Sequence, residues 1–239
     1  MDTLTQARIK EIRSLSEKKY RQQTGLFVVE GEKMVEEAIS SGFEPVELYR
    51  RDQIGEKAMS RISGMVTPSP VLAVLRQRSY EMPDISKGLF VALDGVRDPG
   101  NFGTIVRLCD WFGVDAIFAS EDSVELYNPK VVQATMGAIF RKKVIYCDLE
   151  QLCARFAASS IPVYGTLLDG DDIYSQPLTA NALIVMGNES NGISARVRSH
   201  VTSALRIPSF TGGAPTAESL NVAIATAVTL SEFKRKFHK

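Results

Sequence analysis

IPSFTGGAPTAESLNVAIATAVTLSEFKR, residues 207–235, reads as the end of a strand, a loop of small and turn-forming residues, and a long helix. Leu220, Ile224, Ala227 and Val228 recur at helical spacing, which predicts that their face is buried. Ala223, Ala225 and Ala227 lower the side-chain bulk, so another backbone can approach closely. Lys234, Arg235 and Lys236 fill the last turns, where cations complement the helix dipole. Ser219 and Asn221 stand at the entry of this otherwise apolar helix. Their ordinary role there is capping, since Ser and Asn satisfy backbone N–H groups that a helix start leaves open.

Upstream, strands and helices alternate. LFVALDG (89–95) is a continuous apolar run, the pattern of a strand buried on both faces. Helical patterns at 104–112, 129–139 and 149–159 and a short one at 194–199 alternate with strand patterns at 115–119, 144–147, 163–168, 182–187 and 204–207. Such alternation implies a parallel sheet with helices on both sides. The first third is a smaller α/β unit. A helical pattern covers 4–21, then strands are expected at 26–31, 46–51 and 62–66, and helices at 32–42, 52–61 and 71–78. SYEMPDISKG (79–88) breaks the periodicity with polar residues, a Pro and a Gly. The expected organisation is therefore a domain over 1–80, a linker at 81–87 and a second domain over 88–239.

Composition is that of an ordinary soluble protein, and 28 basic residues balance 28 acidic ones. No global positive field announces nucleic acid, although a local patch suffices for binding. Arg8, Lys10, Arg13, Lys18, Lys19 and Arg21 make the N-terminal stretch locally basic, which reads ordinarily as a solvated face and alternatively as an RNA contact. No apolar run approaches the ~18 residues of a membrane span, and the N-terminus lacks a secretion signal's apolar core. Cys109, Cys147 and Cys153 have no C-x-x-C spacing and read as reduced thiols. A cytoplasmic protein is the expectation.

In open parallel sheets, ligands bind beyond the carboxyl ends of the strands. Three loops there are loaded with polar residues. DGVRDPGNFGTIVRLCD (94–110) combines the Gly100–Gly103 turn and Asn101 with a helix start that offers N–H groups to an anion. Arg107 lies about one and a half helical turns further on. Asp94, Arg97 and Asp98 read either as functional groups or as loop charges that pair with one another. MGNESNGIS (186–194) holds Glu189 between Gly187 and Gly192, where a carboxylate is ordinarily a solvent-facing turn residue. The stretch at 207–235 supplies the third loop. G-N-F-G is not the G-x-G-x-x-G dinucleotide fingerprint, and no P-loop or H-E-x-x-H occurs. His200 and His238 neighbour no Ser or Asp constellation, which argues against a serine-hydrolase triad. No metal site is expected.

DPGNFGTIVRLCDWFG (98–113), LIVMGNESNGIS (183–194) and IPSFTGGAPTAESLNVAIATAV (207–228), in this order, closely resemble the three motifs of the SpoU (TrmH-like) branch of the SPOUT RNA methyltransferases. YNPKVVQATMGAIF (127–140) is similar to the same family, and the resemblance spans roughly 88–239. FVVEGEKMVEEAI (27–39) resembles the family's N-terminal substrate-binding domain, similar to ribosomal protein L30e.

The resemblance implies methyl transfer from S-adenosylmethionine to a ribose 2′-OH of RNA, with ribosomal RNA favoured over transfer RNA. It implies a catalytic domain whose C-terminal segment forms a trefoil knot, and a homodimer with the active site near the subunit interface. By motif matching, Asn101 and Arg107 are the catalytic pair of the first motif, Glu189 the acid of the second, and Ser219 and Asn221 the polar pair of the third. Cofactor contacts carried over the same way fall on Thr166, Leu167, Met186, Gly187, Ile207, Pro208 and Leu220. The chain departs from the pattern in the third motif. Residues 209–218 make its loop a few residues longer, and Ser209 stands where Met is common. Asn188 and Asn191 are local variants in the second motif. Two other classes remain open: a non-catalytic RNA-binding or ribosome-assembly protein on the same fold, and a nucleotide-dependent oxidoreductase using the Gly100–Gly103 turn.

Overall fold

The computed structural model describes residues 4–212, 214–215 and 217–237. His238 and two positions of the lengthened 209–218 loop, Gly213 and Thr216, lie outside the described residues. In chain order the elements are α1 (Gln6–Ser14), α2 (Lys18–Thr24), β1 (Leu26–Glu30), α3 (Glu32–Ser40), β2 (Pro45–Arg50), α4 (Arg51–Ile54), α5 (Glu56–Ile62) and β3 (Val71–Arg76). They continue with β4 (Leu89–Leu93), α6 (Pro99–Trp111), β5 (Ala116–Ala119), α7 (Pro129–Ala134), a 3-10 turn (Ala138–Phe140), β6 (Val144–Tyr146) and α8 (Leu149–Ala158). The last are β7 (Val163–Asp172), β8 (Ala182–Met186), α9 (Ala195–Arg198), β9 (Ser203–Arg206) and α10 (Val222–Phe237). Two compact units result: the chain up to Ser79 together with Glu125–Arg141, and Tyr80–Val124 together with the chain from Lys142 onward. No helix or strand forms between Arg76 and Leu89.

The first unit is built on an antiparallel sheet of order β1-β3-β2. Its central strand corrects an expectation: VLAVLRQR is not a helix, because Val71–Arg76 forms β3, with Val71 to Leu75 all buried. A short continuous apolar run carries no periodicity that separates strand from helix. Pairing on both edges decides the matter here. Residues 63–66 are not a strand, since α5 ends at Ile62 and the chain then runs irregularly to β3. The single helix expected over 4–21 is two, broken at Leu15–Glu17.

Arg21 does not belong to a basic surface. It is 1% exposed; its Nε and Nη2 donate to Glu125 at 3.0 and 2.8 Å, and its Nη1 donates to the Leu15 carbonyl at 2.8 Å. This ion pair, with Phe27 against Tyr127 and Phe43 against Phe140, holds Glu125–Arg141 in the first unit. The helix expected over 129–139 stops at Ala134, where Met136 (φ 49°) and Gly137 (φ 92°) turn the chain into the 3-10 segment.

In the second unit six strands run parallel in the order β6-β5-β4-β8-β7-β9. Phe90 and Ala92 of β4 pack with Phe118 and with Leu152, Cys153 and Phe156 of α8. Val91 and Leu93, fully buried, face the other way by the two-residue period of a strand. Helices α6 and α10 pack against each other. The buried face of α10 is Val222, Ala223, Thr226, Thr229, Leu230 and Phe233. The face expected to be buried is instead outward: Leu220 is 51% exposed, Ile224 54%, and Ala227 and Val228 are half-buried. Helical spacing identifies an apolar stripe, but here a second stripe nearly half a turn away meets the core.

Candidate active site

The first loop begins where β4 ends. Gly95, at φ 69°, turns the chain, and its N–H donates to the Ser120 hydroxyl at 2.8 Å. Val96 N–H donates to the Ser123 hydroxyl at 3.1 Å. Asp98 then caps α6, accepting from Asn101 N–H at 2.7 Å, with Pro99 at the first helical position. These bonds set Asn101 in the first turn of α6. Asp94, Arg97 and Asp98 do not pair with one another. Asp94 accepts from Ser194 N–H at 2.6 Å, Asp98 is the cap, and Arg97 reaches Asp122 at 2.8 Å. The Ser120 hydroxyl and the Arg97 guanidinium hold the Asp122 carboxyl below the usual carboxylate range.

The second loop leaves β8 at Met186. Asn188 and Gly192 exchange reciprocal backbone hydrogen bonds of 2.9 Å, closing a tight loop around Glu189. A Cβ on Gly187 would stand 2.3 Å from the Gly192 carbonyl carbon, so only glycine lets the two backbones cross. Glu189 is thereby exposed at the loop tip.

The third group arrives at the start of α10. Asn221 is a helix cap: its Oδ1 accepts from Ala223 and Ile224 N–H at 2.9 and 3.3 Å. With the oxygen so occupied, Nδ2 points away and donates to Asn101 Oδ1 at 2.9 Å. Asn101 Nδ2 in turn donates to Glu189 Oε1 at 3.0 Å. One directional chain, from the helix start through two amides to a carboxylate, thus joins all three loops. One amide thus serves the cap through Oδ1 and the site through Nδ2. Arg107 and Ser219 are exposed and make no hydrogen bond or ion pair with the trio.

Of the carried-over cofactor residues, Thr166 and Leu167 lie in β7 just past its pairing with β8, Met186 and Gly187 at the end of β8, and Ile207 and Pro208 just after β9; the three strands are neighbours in the sheet. Thr166 Oγ1 donates to the Val185 carbonyl at 3.1 Å. The β7–β9 register shifts between Thr166 and Asp171, so Leu167–Gly170 fall outside the ladder. Their backbone, with that of Met186–Gly187 and Ile207–Pro208, suits a ligand held mainly by main-chain groups. Leu220, in contrast, is an exposed side chain. Among the described residues no cluster of His, Cys, Asp and Glu is arranged to hold a metal ion, and no helix is long and apolar enough to cross a membrane.

Asn188 is the residue of this region whose part the motif reading missed. Its side chain reaches Gly95, 93 residues away in sequence, and no local pattern signals such a partner.

Comparison with known proteins follows the same lines. Residues 88–231 match the SpoU rRNA Methylase family, and residues 6–65 match an MRM3-like substrate binding domain. The chain is 29% identical to the 23S rRNA (guanosine(2553)-2′-O)-methyltransferase RlmP of Bacillus subtilis, covering 92% of this chain and 93% of that protein. Among solved structures, a TrmH-family protein from Porphyromonas gingivalis superposes with TM-score 0.89 at 37% identity, covering 98% of this chain and 99% of the other. An AdoMet-bound rRNA methyltransferase from Sinorhizobium meliloti superposes with TM-score 0.87 at 30% identity, covering 100% and 98%.

Proposed function

The chain belongs to the SpoU rRNA methylase family, and we propose that, as an S-adenosylmethionine-dependent RNA 2′-O-ribose methyltransferase, it acts on ribosomal RNA through Asn101, Arg107, Glu189, Ser219 and Asn221. The observation that carries the site is the Asn221–Asn101–Glu189 chain, which gathers one polar residue from each of the three motif loops.

When bound, S-adenosylmethionine supplies an electrophilic methyl group. Thr166, Leu167, Met186, Gly187, Ile207, Pro208 and Leu220 would hold it, largely by backbone. The protein's task is to hold the ribose hydroxyl in line and to favour its developing negative charge; alignment alone accelerates such reactions greatly. Arg107 serves the charge: exposed and unengaged by the trio, its guanidinium is available to the adjacent phosphate and to the forming alkoxide. Asn101 and Glu189 orient the ribose, and Asn221 with Ser219 frames them.

The match at 6–65 supports RNA binding by the domain over 1–80 and catalysis by 88–239. Return of α10 from edge strand β9 to pack on α6 supports the trefoil knot. A homodimer in the cytoplasm completes the reading. Its support is the outward apolar face of α10, where Ala227, Val228 and Ser231 line a shallow depression with Phe112 and Tyr174.

Labelled S-adenosylmethionine and total RNA from a strain lacking the gene test this reading. A labelled 2′-O-methyl nucleoside in the ribosomal fraction is expected. Label in transfer RNA alone would overturn the substrate class. Neither methyl transfer nor cofactor binding would favour a non-catalytic RNA-binding protein.

A further inference from the structure

We infer that Asn188 is a positioning residue for the transfer: its side-chain amide ties the Glu189 loop to the Gly95 turn and so sets Glu189 beside Asn101. The inference rests on the reading above that Asn101 and Glu189 serve the reaction.

Strands β4 and β8 pair up to Leu93 and Met186, and one further bond joins Asp94 N–H to the Met186 carbonyl at 2.9 Å. Beyond that point the two loops share no backbone hydrogen bond among the described residues. The 188–192 loop is closed on itself and largely exposed, so its own bonds fix its shape but not its place. Two side chains fix its place. Asp94, on the sheet side, receives Ser194 N–H. Asn188 Nδ2 donates to the Gly95 carbonyl at 2.7 Å.

The amide of Asn188 is used on both sides. Oδ1 accepts from Ser190 and Asn191 N–H at 2.9 and 3.0 Å, which fixes which way the amide faces. The NH2 group therefore meets Gly95 O, and it also lies 3.5 Å from Glu189 Oε2, while Glu189 Oε1 is taken by Asn101. A residue here needs two acceptor sites and a donor at one fixed reach. Asp supplies only acceptors and sets a second charge beside Glu189. Ala supplies neither. Without the tether, the loop would be placed by Asp94 at its far end and Glu189 itself by one exposed hydrogen bond to Asn101. A displacement of about 1 Å at a reacting centre costs on the order of 100-fold in rate.

A double-mutant cycle on the full chain tests this, using Asn188→Ala, Glu189→Gln and the double variant. Turnover at saturating cofactor should fall about 10- to 100-fold in Asn188→Ala, with KM for RNA changed less than about 3-fold. In the Glu189→Gln background the same change should cost less than about 2-fold, because contacting residues acting through one another are non-additive. Asn188→Asp, which keeps the loop's internal acceptor, should lose turnover as Asn188→Ala does. Additive losses, or wild-type turnover in Asn188→Asp, would overturn the inference. So would a crystal structure of Asn188→Ala with the Asn101–Glu189 bond intact, a readout that needs no turnover. Wild-type protein that transfers no methyl group would instead sink the functional reading, and the crystal structure would still decide the positioning role.

Discussion

Asn221→Asp separates the two duties of one side chain. Aspartate caps helices as well as asparagine does, and its charge suits the positive end of α10. Both acceptor bonds, to Ala223 and Ile224 N–H, survive. The capping contribution to stability should therefore change by less than about 0.5 kcal/mol, or about 2 °C in Tm. The donor to Asn101 Oδ1 is lost. Asn101 then has reason to turn its amide over, because its Oδ1 now faces a carboxylate oxygen; in doing so it donates to the carboxylate at position 221, presents an oxygen to Glu189 and releases it. The net loss is one hydrogen bond, about 0.5–1.5 kcal/mol, a turnover loss of about 2- to 13-fold. Urea unfolding read alongside single-turnover methyl transfer gives both numbers. Asn221→Ala is the control, and should lose stability and turnover together. Wild-type turnover in Asn221→Asp, or destabilisation beyond about 2 kcal/mol, would refute the reasoning.

Arg107→Ala should lower single-turnover rate about 10²- to 10³-fold with little effect on Tm, as expected for an exposed group that stabilises developing charge; near-full rate would remove Arg107 from the mechanism. Arg21→Ala leaves Glu125 without its guanidinium and should destabilise the protein by about 3–5 kcal/mol in urea unfolding. Burial pushes the Cys153 thiol up to about 12 and the Cys147 thiol up to about 11 from 9.0. The folded state thus holds these protons more tightly than the unfolded chain, so their contribution is full below pH 9 and is lost as pH rises through those values. Melting curves between pH 8 and 11 should show that decline, weakened in Cys153→Ala. RNA affinity should fall steeply with salt, and exposed Lys18 and Lys19, changed together to Glu, should flatten the log–log slope; an unchanged slope would locate the phosphate contacts elsewhere.

The parallel sheet was legible because its strands, such as Leu89–Leu93 and Ala182–Met186, are continuous apolar runs between helical patterns. The candidate site was legible through the order of three polar loops, each directly after a strand or before a helix. The part of Asn188 was not, since its partner is a backbone carbonyl brought close only by folding. Nor was β3, whose apolar run fits either period until β1 and β2 flank it.

Local sequence, then, determined the alternation of elements and the Asn221 cap, because these depend on neighbours a few residues away. Tertiary structure decided which apolar stripe of α10 meets the core, that Arg21 is buried against Glu125, and that Asn221, Asn101 and Glu189 form one bonded chain. Those outcomes depend on groups about 90–120 residues apart, or on a choice between two faces that both carry apolar residues. A linear pattern reports that a side chain is apolar or polar. Only the packed chain reports what stands across from it.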